Sequence, residues 1–320
     1  MIRQLVLMFA LFFAGAVCAE DFVTTVTARQ IQPWNGLVEI TVGLSCESND
    51  LAEVVCAFVA TNSATRVALP VTKIHQAGGD TGSGASWTRR FIWDAASDLG
   101  EAKIDDVALT VDAFRGAQLW ENGPYWATCN VGSSKPEERG YYFWWGDTVG
   151  YKRNANNSRW VSVKDETGFS FYRGNCPTYN NNNYQLQLDG YIDSTGNLVA
   201  AHDAATVHLG APWRMPTDAE FSALISNCDT EWTSRNGVSG RLVKGRGAYA
   251  SKSIFLPAAG YGYDSGLLNF GSTGCYWSST SGSDYSDGGR VLDFGSNFFE
   301  RSSDQCYFGN SVRPVRGFAK

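Results

Sequence analysis

Apolar residues in this chain come in short bursts broken by Gly, Asn, Asp and Ser, which restricts it to short strands joined by turns. Val38, Ile40, Val42 and Leu44 recur at every second position, the mark of a strand with one buried face. Asn35-Gly36 ahead of them is a hairpin turn signal. Val55, Ala57 and Val59 continue the alternation after Asn49-Asp50. Phe91 and Trp93, then Val107, Leu109 and Val111, supply later strands, with a Gly/Ser/Asp/Thr loop between Gly78 and Gly84.

Regularly punctuated strands of this kind predict an all-β sandwich of immunoglobulin or fibronectin type over residues 20–115. Residues 1–19 read as a secretory signal: Arg3 opens it, Leu5 to Phe13 is apolar, and Val17-Cys18-Ala19 offers small residues for cleavage. The apolar run is too short to span a bilayer, and no later segment approaches that length. The expected product is an exported protein, extracellular or at the cell surface, with the periplasm a further possibility, and with no transmembrane segment once the signal is removed. The full chain's 32 acidic against 26 basic side chains, the latter scattered, give no electrostatic reason to bind nucleic acid or anionic lipid.

The second half opens with unusual aromatic density: Trp120, Tyr125, Trp126, Tyr141, Tyr142, Phe143, Trp144 and Trp145. Side chains of this size bury large apolar areas, so core packing is their expected role. Residues 151–190, with the run Asn180 to Asn183, read as polar loop. Two helices are predicted after it. Ala201 to Leu209 stops at Gly210. Thr217 and Glu220 then make a capping box ahead of Phe221, Leu224 and Ile225, a helical stripe reaching about Cys228. Strands are predicted at Ser253–Leu256, Cys275–Ser279, Val291–Phe294 and Val312–Arg316.

Four blocks in order carry a resemblance: Gly210-Ala-Pro-Trp-Arg-Met-Pro-Thr-Asp-Ala-Glu-Phe221, Ser253-Ile-Phe-Leu-Pro-Ala-Ala-Gly-Tyr261, Cys275-Tyr-Trp-Ser-Ser-Thr280 and Ser311-Val-Arg-Pro-Val-Arg-Gly317. Together they resemble the Fibrobacter succinogenes major paralogous domain, a bacterial family with a C-type-lectin-like fold. The resemblance implies an α+β C-type-lectin-like domain over residues 117–318, two helices beside a small twisted antiparallel sheet. It implies no common reaction.

No nucleophile elbow, Walker sequence, dinucleotide fingerprint or His-Glu-x-x-His occurs. His202 and His208 are six apart, which does not put them on one helical face. Calcium-binding relatives of the fold carry Glu-Pro-Asn or Gln-Pro-Asp with Trp-Asn-Asp; all are absent. The formylglycine-generating enzymes on the same fold hold copper with closely spaced cysteines, unlike the widely separated Cys275 and Cys306. No catalytic residue, metal or cofactor is therefore expected.

Export instead makes bridges reasonable: Cys275–Cys306, Cys176–Cys228 and, in the first module, Cys46–Cys56, with Cys129 left over. What remains is binding. The late loops are rich in Tyr, Ser, Gly, Asn and Asp, a composition suited to adaptable contact. The expected ligand surface comprises Tyr261, Tyr263, Asp264, Tyr285, Asp287, Arg290, Phe298, Arg301 and Tyr307, and the expected partner is a glycan or a surface protein. An enzyme with a carboxylate or copper site, or a structural surface-assembly protein, are the alternatives.

Overall fold

The structure is a computed structural model that describes residues 22–317 apart from 34, 47–50, 52–53, 63–64, 101–106 and 283–287. The expected signal with Cys18 lies outside the described residues. Strands dominate the chain, which divides into two compact units between Arg115 and Gly116. Among the described residues no helix is long and apolar enough to cross a membrane.

The first unit runs β1 (Val23–Gln30), β2 (Leu37–Ser45), β3 (Val54–Asn62), β4 (Ala68–Leu69), β5 (Ile74–Gln76), β6 (Thr81–Ser83), β7 (Ser86–Asp94), the short helix α1 (Ala95–Leu99) and β8 (Val107–Gln118). One antiparallel sheet joins β1 to β2 and β2 to β7, with β5 and β6 also on β7. The other joins β4, β3 and residues 107–115 of β8. Val38, Ile40, Val42 and Leu44 all face inward, and with Phe91 and Trp93 they meet Val54, Ala60, Leu109 and Ala113 of the second sheet in one core. Each Val, Leu, Ile or Phe among them contributes about 1.5–3 kcal/mol by leaving water.

The phase expected for β3 is corrected by one residue. Val54 and Ala60 are buried and Cys56 and Phe58 pack on the core, while Val59 is 52% exposed. Where both faces of a strand carry apolar residues, alternation alone does not tell in from out. A charged residue also takes an inward position on β7. The Arg89 guanidinium is satisfied by Asp80 at 2.7 Å and by the carbonyls of Val54 and Leu51 at 2.5 and 2.9 Å.

The second unit opens with β9 (Tyr125–Ala127), β10 (Tyr142–Phe143), β11 (Tyr151–Arg153), β12 (Trp160–Ser162), β13 (Gly168–Phe169), α2 (Asn183–Leu188), α3 (Ala204–Leu209), β14 (Trp213–Arg214) and α4 (Asp218–Asn227). It continues through β15 (Asp229–Arg235), β16 (Val238–Lys244), β17 (Ser253–Pro257), β18 (Tyr261–Tyr263), β19 (Gly266–Leu268), β20 (Gly274–Ser281), β21 (Gly288–Phe294), β22 (Phe299–Gln305), β23 (Asn310–Ser311) and β24 (Val315–Arg316). The largest sheet has the order β13-β12-β11-β10-β23-β20-β21-β22. Beside it stand the antiparallel β15-β16-β17 sheet, the β18-β19 hairpin, and β14-β24-β9, which pairs with the last residues of β8.

The local signals explain these elements. Thr217 and Glu220 form the capping box of α4, which buries Phe221 and Leu224 against Tyr276, Leu292 and Phe294. The predicted Ala201–Leu209 helix is interrupted: a 3-10 turn at Ala200–His202 stops at Asp203, whose carboxylate caps α3 by accepting from Thr206 N at 2.8 Å. Residues 151–190 are not the loop that their polarity suggests. Trp160, Phe171 and Leu186 are buried one at a time, and three short strands hang on them.

Trp126, with Trp120 against it, joins the α4 core, while Tyr142, Phe143, Trp144 and Trp145 form the aromatic core with Tyr141 packed on it. Their polar edges donate to carbonyls: Trp144 Nε1 to Tyr307 at 3.0 Å, Trp145 Nε1 to Ser278 at 3.0 Å and Tyr142 hydroxyl to Ala259 at 2.6 Å. Trp277 returns the pattern by donating to Phe143 O at 2.8 Å.

Of the expected strand Val312–Arg316 only Val315–Arg316 is extended in a ladder, as β24; β23 ends at Ser311, and Val312-Arg313-Pro314 runs between the two. Pro314 lacks an N–H to continue a ladder. Arg313 is fully buried. Its Nε donates to Asn130 Oδ1 at 2.8 Å, Nη1 to the carbonyls of Ala127 (3.0 Å) and Thr128, and Nη2 to Phe255 O at 2.9 Å. One planar cation thus ties the segment after β9 to β17 and to the chain end. Replacing it strands several buried acceptors together. Arg313→Met is expected to lower stability in urea by about 3–5 kcal/mol, and Arg313→Lys to recover only part of it, because an ammonium lacks the guanidinium fork.

Candidate functional site

The β18-β19 hairpin is held by two glycines. Gly262 and Gly309 exchange backbone hydrogen bonds of 2.7 and 2.8 Å directly over the Phe171 ring. A Cβ at either would fall 2.4 or 2.2 Å from that ring, so only glycine allows this approach. The crossing brings the hairpin rings to the turn after β22. Tyr261 lies 5.3 Å from Phe308, Tyr263 lies 5.3 Å from Phe308 and 6.4 Å from Tyr307, and Tyr179 lies 5.6 Å from Tyr307. Tyr263 is 46% exposed, and Asp264 beside it is exposed at the hairpin bend.

A cavity of about 440 Å³ is lined by Arg139, Tyr141, Tyr142, Lys152, Arg153 and Phe270, among others. Arg153 touches the hairpin directly: Nη1 donates to Ser265 O at 2.9 Å, Nη2 to Asn157 O at 2.6 Å, and the guanidinium sits 4.9 Å over Trp160. Its buried Nε has no partner. Arg139 lies 4.6 Å over the Phe270 ring, and its charge acts on the buried Tyr142 hydroxyl.

Burial, aided by the charge of Arg139, pulls the Arg153 pKa below its ordinary value. Among the described residues neither guanidinium is paired with a carboxylate. The acids at the rim are engaged elsewhere. Glu137 is held by Asn236 at 2.7 Å and Arg235 at 3.6 Å, Glu138 accepts from Ser134 N, and Lys152 pairs with Glu166 at 2.6 Å. The cavity therefore offers two cations and aromatic walls.

The expected ligand set is only partly brought together. Tyr261, Tyr263, Asp264 and Tyr307 converge as described. Arg290 and Arg301 do not. Residues alternate across a strand, and in the β20-β21-β22 register Arg290, Leu292 and Arg301 share the face that carries Tyr276 and packs on α4. There Arg301 pairs with Asp218 of α4 at 2.6 Å and Arg290 donates to Ser303 at 2.8 Å. Phe298 is in the β21-β22 turn, packed at Gly295. Tyr285 and Asp287 lie outside the described residues.

Sequence reasoning missed Arg139, Arg153, Phe270, Tyr179 and Phe308. The Tyr151-Lys152-Arg153 run, aromatic beside basic, was the available signal.

The cysteines also depart from the expected pairs. Among the described residues none is joined in a disulfide. Cys228 lies in the α4 core while Cys176 and Cys306 share the aromatic core. Cys275 contacts Asp293 Oδ1 at 3.4 Å, on the opposite face of β20 from Tyr276. Cys56 lies by Arg89, its thiol pushed up to about 11 by burial.

Two of the three histidines face backbone carbonyls: His202 stacks 3.9 Å from Tyr191 and meets Gly146 O at 3.2 Å, and His208 meets Thr148 O at 2.9 Å. Burial holds His208 below its usual pKa. Three carboxylates of the second unit are spent structurally, Asp193 on Thr195 and Asn197, Asp203 on α3, and Glu220 on Arg214 at 2.6 Å. Among the described residues no group of three or more His, Cys, Asp or Glu is placed to hold a metal.

No family model, curated protein or solved structure gives a significant match to the chain.

Behind Tyr261, Asp304 is held by Asn310 Nδ2 and Gln305 N, both at 3.0 Å, yet burial, with Asp293 nearby, pushes its carboxyl up to about 6. A carboxyl raised in the fold favours the folded state when protonated. That stability is complete below the unfolded value of about 3.9 and is lost as pH rises through about 6. Asp304→Asn is expected to stabilise the protein at pH 8 by about 1–2 kcal/mol, less than the full linkage because the carboxyl is partly solvated, and to flatten melting temperature between pH 4 and 7.

Proposed function

We propose that this chain is an exported recognition protein in which the first unit, immunoglobulin- or fibronectin-like, serves as a spacer or docking module. The second unit is a C-type-lectin-like domain akin to the Fibrobacter succinogenes major paralogous domain, and it presents the ligand surface. The family assignment rests on the four sequence blocks, and the β-rich second unit with a capped helix against a twisted sheet is consistent with it. The ligand is a glycan of a cell surface or extracellular matrix, and the reading needs neither metal nor cofactor.

The observation that carries this reading is the β18-β19 hairpin, which has tyrosines on one flank and the Arg153 guanidinium on the other. Aromatic faces stack on the apolar faces of sugar rings, and guanidinium groups bind carboxylates in two-point geometry. Arg139 and Arg153, free of carboxylate partners among the described residues, suit a glycan that carries acidic sugars.

Screening the purified full chain on an array of neutral, uronic-acid and sialylated glycans tests the reading. Capture of acidic glycans is expected. Tyr263→Ala and Arg139→Ala should each weaken that capture by ~2 kcal/mol, the loss typical of a binding hot spot, with melting temperature nearly unchanged. Capture that survives both substitutions places the site elsewhere. Exclusive binding to protein ligands removes the glycan.

A further inference from the structure

Two buried cysteines far apart in sequence stand side by side. Cys176 follows an exposed 3-10 turn (Arg173–Asn175), and only it and Thr178 dip into the core from that excursion. Cys306 opens the turn that follows β22 and is 1% exposed. Trp145 braces both: its N donates to Cys306 O at 3.0 Å, and its O accepts from Thr178 Oγ1 at 2.9 Å. Thr178 Oγ1 lies in turn 3.5 Å from Cys176 Sγ. The next residues continue the alignment, with the Tyr179 and Tyr307 rings 5.6 Å apart. The two thiols share one core, and although burial pushes the Cys176 thiol up, the neighbouring Cys306 and Thr178 bring it below its ordinary value.

We infer that Cys176 and Cys306 are a redox-active pair that closes to a disulfide, clipping the exposed 172–177 excursion to the aromatic turn at Tyr307-Phe308. The co-reactant is a disulfide, of a small thiol or of an oxidoreductase. One cysteine thiolate attacks a sulfur of that disulfide, forming a mixed disulfide and expelling one thiolate. The second cysteine thiolate attacks the mixed disulfide, forms the Cys176–Cys306 bond and expels the second thiolate. Two protein thiols lose two protons and two electrons, and the co-reactant leaves as two thiols. The pair replaces the bridges expected from sequence, since Cys228 and Cys275 are each placed among other groups. Closure fixes Tyr179 and Tyr307 relative to each other, whatever ligand the surface takes.

The test uses the full chain, reduced, desalted and incubated with oxidised glutathione, then acid-quenched, unfolded, alkylated and digested without reduction. A linked peptide pair containing Cys176 and Cys306 is expected. The oxidised protein should melt about 10 °C above the reduced form, as closing a long loop implies. Cys176→Ser and Cys306→Ser should each abolish that difference and Cys275→Ser should keep it. Peptide mapping of the wild type decides the matter if a serine variant does not fold. Recovery of both cysteines alkylated, a glutathione adduct that never resolves, or a Cys275–Cys306 or Cys176–Cys228 link each overturns the inference.

Discussion

A single buried guanidinium organises the second unit. Arg313 sits where the chain cannot continue as a strand, because Pro314 follows, and its donors reach the carbonyls of Ala127, Thr128 and Phe255 and the side chain of Asn130. A buried charge is costly unless every direction it points in is answered. That requirement fixes three segments far apart in sequence at one point. The backbone polar groups around it are completed by Val131 N donating to Val312 O at 3.0 Å and Ala127 N to Pro314 O at 2.9 Å. The same residues that anchor the chain end therefore also set the start of the aromatic core.

From that anchor the aromatic layer propagates order outward. Trp144, Trp145 and Trp277 give each indole N–H to a carbonyl of a neighbouring segment, so a core of large rings also fixes loops. Trp144 holds the Tyr307 carbonyl, and the Gly262–Gly309 crossing holds the hairpin to the same turn. The exposed rings and the cavity cations are consequently displayed by backbone that is itself pinned. A ligand of the proposed kind would meet a surface that needs little further ordering, which lowers the cost of binding.

Much of this was written in the sequence wherever one local rule had no competitor. The β2 alternation, the α4 capping box and the core role of the Trp-rich opening all follow from side-chain periodicity, capping and size. Legibility failed where two readings shared one pattern. Apolar residues on both faces of β3 hid its phase, and Asp203 in an alanine-rich run restarted a helix instead of continuing it. The site failed for a different reason. Arg290 and Arg301 have the composition of a binding loop, but strand parity turns them toward α4, while Arg139 and Arg153 come together through the pairing of β10 with β11, strands too short to show as alternation. Cysteine partners are likewise set by tertiary placement, not by spacing.

The central claim is that ligand is held at the hairpin and the adjoining Arg139/Arg153 cavity. Amide hydrogen exchange of the full chain, with and without a uronic-acid oligosaccharide, reads this directly. The account predicts slowed exchange confined to residues 139–153 and 261–270. Protection appearing instead on β21-β22 near Arg290 and Arg301, or in the first unit alone, would contradict it.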